Sequence, residues 1–98
     1  MTDRLEAIRK RLKANGDVLR KRFKVERIGV FGSFVKGEEK EGSDVDMLVE
    51  FREPISLIEF VALERYLSEL IGRRVDLVTK SALKPRIGSR ILKEVRYL

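Results

Sequence analysis

The sequence has no cysteine, histidine or tryptophan among its 98 residues, and only two prolines. Without cysteine or histidine, a structural zinc site, a thiol nucleophile, a Ser-His-Asp triad and a haem site are excluded. Acid-base or metal chemistry must therefore come from Asp, Glu, Lys or Tyr. No apolar stretch approaches the ~18–20 residues of a membrane span, and the N-terminal residues do not resemble a signal peptide.

Charged residues are abundant, at 39% of the chain, with 22 Lys and Arg against 16 Asp and Glu and a net charge of +6. A basic balance favours a polyanionic partner: nucleic acid, nucleotide phosphates or an acidic protein. The alternative is a solvated surface of mixed sign. The length predicts a single domain over residues 1–98, and the lack of cysteine is compatible with a cytoplasmic location.

The hydrophobic pattern predicts three strands, over Val25–Phe31, Val45–Phe51 and Arg74–Thr79. An N-terminal helix with Asp3 and Glu6 as a capping pair is weakened at Asn15-Gly16, and residues 32–42 are expected to form a loop. A second helix begins at a Ser56/Glu59 capping box and ends at Gly72, and a third follows Pro85. The order α-β-loop-β-α-β-α predicts an α/β (α+β) fold, a small mixed sheet flanked by helices.

Three aspartates avoid the apolar faces of their strands. Asp44 and Asp46 are spaced i, i+2, which places their Cα atoms about 6.5–7 Å apart on one face, and Asp76 has the same phase on the third strand. Such carboxylates repel unless a cation lies between them, and all-oxygen ligation selects Mg²⁺ or Mn²⁺. Taken singly, Asp44 and Asp46 also fit a turn or a solvated strand face, and Asp76 fits a pairing with Arg73 or Arg74.

Gly32-Ser33 directly follows the first strand and offers a backbone that a ligand can approach closely, a hydroxyl and exposed N–H groups. With Lys36 as a point charge, this stretch has the outline of a phosphate-binding loop. A lone Gly-Ser is usually only a turn. No P-loop or dinucleotide fingerprint occurs.

Gly32-Ser33, a gap of ten residues and Asp44-x-Asp46 resemble the GSx10DxD signature of the DNA polymerase β-type nucleotidyltransferases. The run from Gly32 to Gly37 and on through Ser43 to Asp46 is similar to their small single-domain members, the minimal nucleotidyltransferase (MNT) domains. The resemblance covers nearly the whole chain. It implies that Asp44, Asp46 and Asp76 are catalytic and hold two Mg²⁺ ions, and that Gly32, Ser33 and Lys36 bind the triphosphate of ATP. Family members often carry Arg in place of Lys36, and Lys loses bidentate phosphate recognition.

The acceptor is implied by the resemblance alone. MNT proteins are understood as antitoxins that transfer AMP to a tyrosine hydroxyl of a HEPN-domain toxin, and a chain without a separate substrate domain fits a protein acceptor. Two other functions stay open: a non-catalytic module that neutralises a partner by contact, and a basic nucleic-acid-binding domain. Assembly as a homodimer or hetero-oligomer is expected. Tyr66 and Tyr97 are expected to serve helical packing rather than self-modification. The basic residues near the C-terminus fit a solvated helix face or a docking site for an acidic partner or RNA: Lys80, Lys84, Arg86, Arg90, Lys93 and Arg96.

Overall fold

The computed structural model of the chain describes residues 4–37, 40, 42, 44–83 and 85–97, without the side chains of 85–87. In chain order the elements are α1 (Arg4–Ala14), α2 (Gly16–Phe23), β1 (Val25–Phe31), α3 (Ser33–Lys36), β2 (Val45–Phe51), α4 (Leu57–Ile71), β3 (Val75–Thr79), a 3₁₀ turn (Lys80–Ala82), α5 (Pro85–Glu94) and β4 (Arg96–Tyr97). None of the helices formed by these residues combines the length and hydropathy that a membrane span requires.

The four strands form one mixed sheet in the order β3-β2-β1-β4. β1 pairs antiparallel with both β2 and β4, whereas β2 and β3 are parallel. A parallel pair needs a crossover connection, and α4 supplies it. This arrangement brings the end of β1 and the starts of β2 and β3 to the same edge of the sheet. The predicted mixed α/β fold is confirmed.

The core lies on one face of the sheet, as the alternation in β2 predicts. Val45, Met47 and Val49 are completely buried there, together with Leu63 and Leu67 of α4. Successive side chains of a strand point to opposite faces, so Asp46 and Glu50 lie on the other face. Leu48 is also on that second face and is completely buried. The face that carries the aspartates is therefore not an ordinary solvated surface.

The predicted helix boundaries are explained by local hydrogen bonds. At the start of α4, the Glu59 N–H donates to Ser56 Oγ at 3.1 Å and the Ser56 N–H donates to Glu59 Oε1 at 3.2 Å. This reciprocal pair is the predicted capping box. The helix ends at Gly72, whose φ of 77° lies in the left-handed region that favours glycine. The predicted break at Asn15-Gly16 is also present, since α1 ends at Ala14 and α2 begins at Gly16.

Two local expectations need correction, and four concern residues or side chains outside the described part of the chain. The stretch after β1 begins with the helical turn α3 rather than a loop, because the N–H groups of Val35 and Lys36 both donate to the Gly32 carbonyl at 3.1 Å. Tyr97 belongs to β4, a two-residue strand too short to produce a period-2 pattern, and not to a helix. Asp3, Ser43 and Lys84, which the sequence analysis singled out, lie outside the described residues, as does the Arg86 side chain.

Candidate active site

Two of the three predicted aspartates face each other across the parallel strands. Asp46 is the second residue of β2, Asp76 is the second residue of β3, and the two are register partners. Partners in adjacent strands project to the same side of the sheet, so both carboxylates lie on the face opposite the core. Asp44 immediately precedes β2 and is exposed. Asp46 and Asp76 therefore lie on the same face of the sheet, as their shared phase in the sequence predicts, and Asp44 directly precedes the strand of Asp46.

The pKa of Asp46 depends on its burial and on the neighbouring aspartates. Its pKa is raised above the usual value for an aspartate, first by partial burial and then by the negative charges of Asp76 and Asp44. A carboxylate that is both half-buried and faced by two like charges is costly in its ionised form. Nearby positive charge, such as that of a cation, would remove this cost. Without such a charge, burial and the charges of Asp76 and Asp44 destabilise the ionised form of Asp46.

Gly32 brings the Gly-Ser motif into contact with this carboxylate. Its φ is 76°, and a Cβ atom built on Gly32 would clash with Asp46 Oδ2. Only glycine therefore permits the close approach of backbone to carboxylate at this point. Phe31, which precedes Gly32, is the register partner of Asp46 in β1. The conformation of the motif and the sheet register together place Gly32 and half-buried Ser33 beside the aspartates.

Lys36, predicted to bind phosphate, forms an ion pair with α5. At the end of α3, its Nζ lies 3.1 Å from Glu94 Oε1 of α5. Arg90 Nε lies 3.8 Å from the same oxygen. Lys36 thus ends the short helix that Gly32 begins, and its charge is paired with a carboxylate of α5. Glu94 was missed in the sequence because a helical carboxylate so distant in the chain gives no pattern.

The three aspartates fit a divalent metal in donor type. Asp44, Asp46 and Asp76 supply the hard carboxylate oxygens that Mg²⁺ prefers. Burial, followed by the charges of Asp76 and Asp44, raises the pKa of Asp46. Within the described part of the chain, no three acidic side chains converge closely enough to form a ready metal cluster. The carboxylates of Asp44 and Asp76 are exposed, so a change of rotamer can bring them closer to Asp46.

The basic residues near the C-terminus are partly neutralised within the molecule. Lys80 Nζ lies 3.5 Å from Glu50 Oε1, and Arg90 shares Glu94 with Lys36.

Arg27 approaches the other Glu50 oxygen at 3.8 Å and stacks on the Tyr97 ring, 3.8 Å from its centroid. Burial, followed by the Glu50 carboxylate, raises the pKa of Tyr97. These contacts give Tyr97 a packing role in the sheet, although not the helical one predicted.

Comparison with known proteins assigns the family. Residues 8–98 match the nucleotidyltransferase domain family. A Thermococcus cleftensis protein named protein adenylyltransferase MntA is 55% identical over 96% of this chain and 95% of its own length. A Methanocaldococcus jannaschii protein is 39% identical over 96% of this chain and 97% of its own. The chain therefore belongs to the nucleotidyltransferase family, and the predicted enzyme class is confirmed.

Solved structures agree with the fold. A minimal nucleotidyltransferase structure is similar at a TM-score of 0.81 with 39% identity, covering 96% of this chain and 95% of that one. A toxin–antitoxin crystal structure with AMP-PNP gives a TM-score of 0.69 at 23% identity, covering 94% of this chain and 69% of that one. At that lower identity the likeness concerns the fold alone.

Proposed function

We propose that this chain is an antitoxin that transfers AMP from ATP to a tyrosine hydroxyl of a HEPN-domain toxin. The observation that carries the proposal is the contact of the Gly32 backbone with the Asp46 carboxylate, whose register partner is Asp76. That contact joins a candidate phosphate loop to a candidate metal-binding carboxylate pair. The protein adenylyltransferase name of the relative at 55% identity supports the choice of a protein acceptor.

In this proposal, Asp44, Asp46 and Asp76 would hold Mg²⁺, which supplies charge stabilisation to the attacking and leaving oxygens of a phosphoryl transfer. Gly32 gives the triphosphate room to approach the backbone, and the Ser33 hydroxyl donates to a phosphate oxygen. Lys36 contributes positive charge after exchanging Glu94 for phosphate. These contacts would keep the phosphate chain beside Asp44, Asp46 and Asp76.

The proposed reaction is an in-line displacement at the α-phosphorus. The tyrosine oxygen of the acceptor forms a bond to that phosphorus, and the bond to the oxygen bridging the α- and β-phosphates breaks. Pyrophosphate leaves, and AMP stays on the tyrosine. The hydroxyl proton passes to the Asp76 carboxylate, which is exposed and can release it to water. The acceptor's tyrosine has to enter from this open side.

Incubation of the protein with each of the four nucleoside triphosphates, Mg²⁺ and the purified HEPN toxin tests the proposal by intact mass. We expect the toxin to gain the mass of AMP with ATP only, and the modified peptide to contain tyrosine. A toxin that binds the chain tightly but gains no mass with any nucleotide would contradict the proposal. That result would favour neutralisation by contact.

A further inference from the structure

β3 has one side without a strand neighbour. Among the residues that the structure describes, β3 pairs with β2 alone, so its N–H groups that point away from β2 have no ladder partner there. Two side chains of α4 accept hydrogen bonds from these N–H groups instead. The Val75 N–H donates to Ser68 Oγ at 3.0 Å, and the Leu77 N–H donates to Glu64 Oε2 at 3.1 Å. The outer edge of β3 is therefore held by a helix through two side-chain acceptors.

The two acceptors are themselves organised as a unit. Glu64 and Ser68 are four residues apart, one turn of α4, and therefore lie on the same side of the helix. The Ser68 hydroxyl donates to the Glu64 carbonyl at 2.9 Å while it accepts from Val75. This second bond fixes the direction of the hydroxyl. Both side chains are half-buried, so water competes weakly for the two strand N–H groups.

Asp76 lies between the two anchored residues. Its register partner is Asp46, and like charges directly opposite each other on adjacent strands repel. Repulsion across a five-residue edge strand favours separation of β3 from β2. The hydrogen bonds at Val75 and Leu77 oppose that movement, because they hold the strand on both sides of Asp76.

We propose that Glu64 and Ser68 are positioning residues that hold Asp76 in register with Asp46. The inference rests on the proposed function, in which Asp76 is one of the three carboxylates of the active site. Displacement of a reacting group by about 1 Å can cost about 10²-fold in rate. Loss of either acceptor should therefore reduce the rate of AMP transfer while nucleotide binding at Gly32 and Ser33 stays unchanged.

The test compares Glu64→Ala and Ser68→Ala with variants that keep an acceptor, Glu64→Gln and Ser68→Thr. Glu69→Ala is the matched control for charge removal, because Glu69 is an exposed residue of the same helix. Ser56→Ala is the matched control for loss of stability, because it removes the capping box of that helix. Any effect shared with these controls is structural rather than positional.

Three quantities are measured for each variant: amide hydrogen exchange at Val75 and Leu77, Mn²⁺ affinity by the spin resonance of free Mn²⁺, and kcat and KM for AMP transfer. We expect both alanine variants at Glu64 and Ser68 to speed exchange at their own amide at least tenfold over the controls. They should weaken Mn²⁺ binding threefold or more and lower kcat at least tenfold, with KM for ATP within twofold. The Gln and Thr variants should stay within threefold of wild type throughout.

Unchanged exchange in Glu64→Ala and Ser68→Ala would overturn the inference, and so would faster exchange with wild-type Mn²⁺ affinity and kcat. If the wild-type chain transfers nothing to the toxin, the proposed function fails, and exchange and Mn²⁺ affinity alone decide about positioning. In that case, equal Mn²⁺ affinities in the alanine variants and the two controls would overturn it.

Discussion

At the scale of single residues, the chemistry proposed for the site depends most closely on the backbone of Gly32. Its φ of 76° is strained for any L side chain, and a Cβ would meet the Asp46 carboxylate. We expect Gly32→Ala to lower the rate of AMP transfer at least 100-fold. The matched control is Gly72→Ala, because Gly72 has a φ of 77° but open space for a Cβ, with Arg11 Nη1 nearest at 3.9 Å.

Gly72→Ala should lose about 1–2 kcal/mol of unfolding free energy, the cost of a left-handed conformation for alanine. Gly32→Ala should lose more, because the Gly32 ψ of −146° lies outside the left-handed helical region and its Cβ would clash with Asp46. Transfer by Gly72→Ala should stay near the wild-type rate. Thermal unfolding and the intact-mass assay measure the two effects. Equal transfer rates in the two variants would show that contact between Gly32 and Asp46 has no role in the reaction.

Lys36 provides a second prediction at this scale, because its ion pair with Glu94 competes with phosphate. The partners are separated by 3.1 Å and are partly exposed, and such pairs contribute about 0.2–1 kcal/mol. Glu94→Gln should therefore lower KM for ATP by about 1.4- to 5-fold with little change in kcat. Lys36→Ala should raise KM. A higher KM in Glu94→Gln would mean that Glu94 orients Lys36 for phosphate instead of competing for it.

At the scale of the elements, the pairing of β2 with β3 places Asp46 opposite Asp76 at a cost in stability. The pKa of Asp46 is raised in the fold, so the folded state binds protons more readily than the unfolded chain. The contribution of Asp46 to stability should therefore rise as the pH falls towards that pKa, and its penalty should be fully present at neutral pH.

Asp46→Asn should accordingly stabilise the metal-free protein at pH 7 by about 0.5–2 kcal/mol, while abolishing transfer. Added Mg²⁺ should stabilise the wild type and have little effect on this variant. Thermal unfolding at pH 7 and pH 5, with and without Mg²⁺, measures these effects. A lower melting temperature for metal-free Asp46→Asn at pH 7 would contradict the proposed repulsion.

The helices and strands also show which features of the fold can be predicted from the sequence. The alternation in Val45–Phe51, the capping box at Ser56 and the glycine at 72 are local signals, and each appears in the fold as predicted. The register of Asp46 with Asp76 and the contact of Gly32 with Asp46 could only be inferred from the family motif, because they depend on strand order. The acceptors Glu64 and Ser68 and the ion pair of Lys36 with Glu94 join distant residues and leave no periodic pattern.

For the whole molecule, the net charge of +6 raises the question of nucleic-acid binding. Lys80, Arg90 and Lys36 are already paired with Glu50 or Glu94, which reduces the positive charge available to a polyanion. We expect only non-specific binding of single-stranded RNA, with Kd at or above about 10⁻⁶ M at physiological salt. Fluorescence polarisation across a salt series measures it. Nanomolar binding that survives Asp46→Asn would favour the nucleic-acid-binding function.

The central claim is that one edge of this sheet, where Gly32, Asp46 and Asp76 meet, transfers AMP to a protein. The most direct test is the initial rate at which the HEPN toxin gains AMP mass from ATP and Mg²⁺. Asp46→Asn is compared with Asp17→Asn, whose carboxylate is exposed and bonded to Arg20 away from the site. We predict wild-type rates for Asp17→Asn and no detectable transfer for Asp46→Asn. Transfer by Asp46→Asn within twofold of wild type would contradict the account.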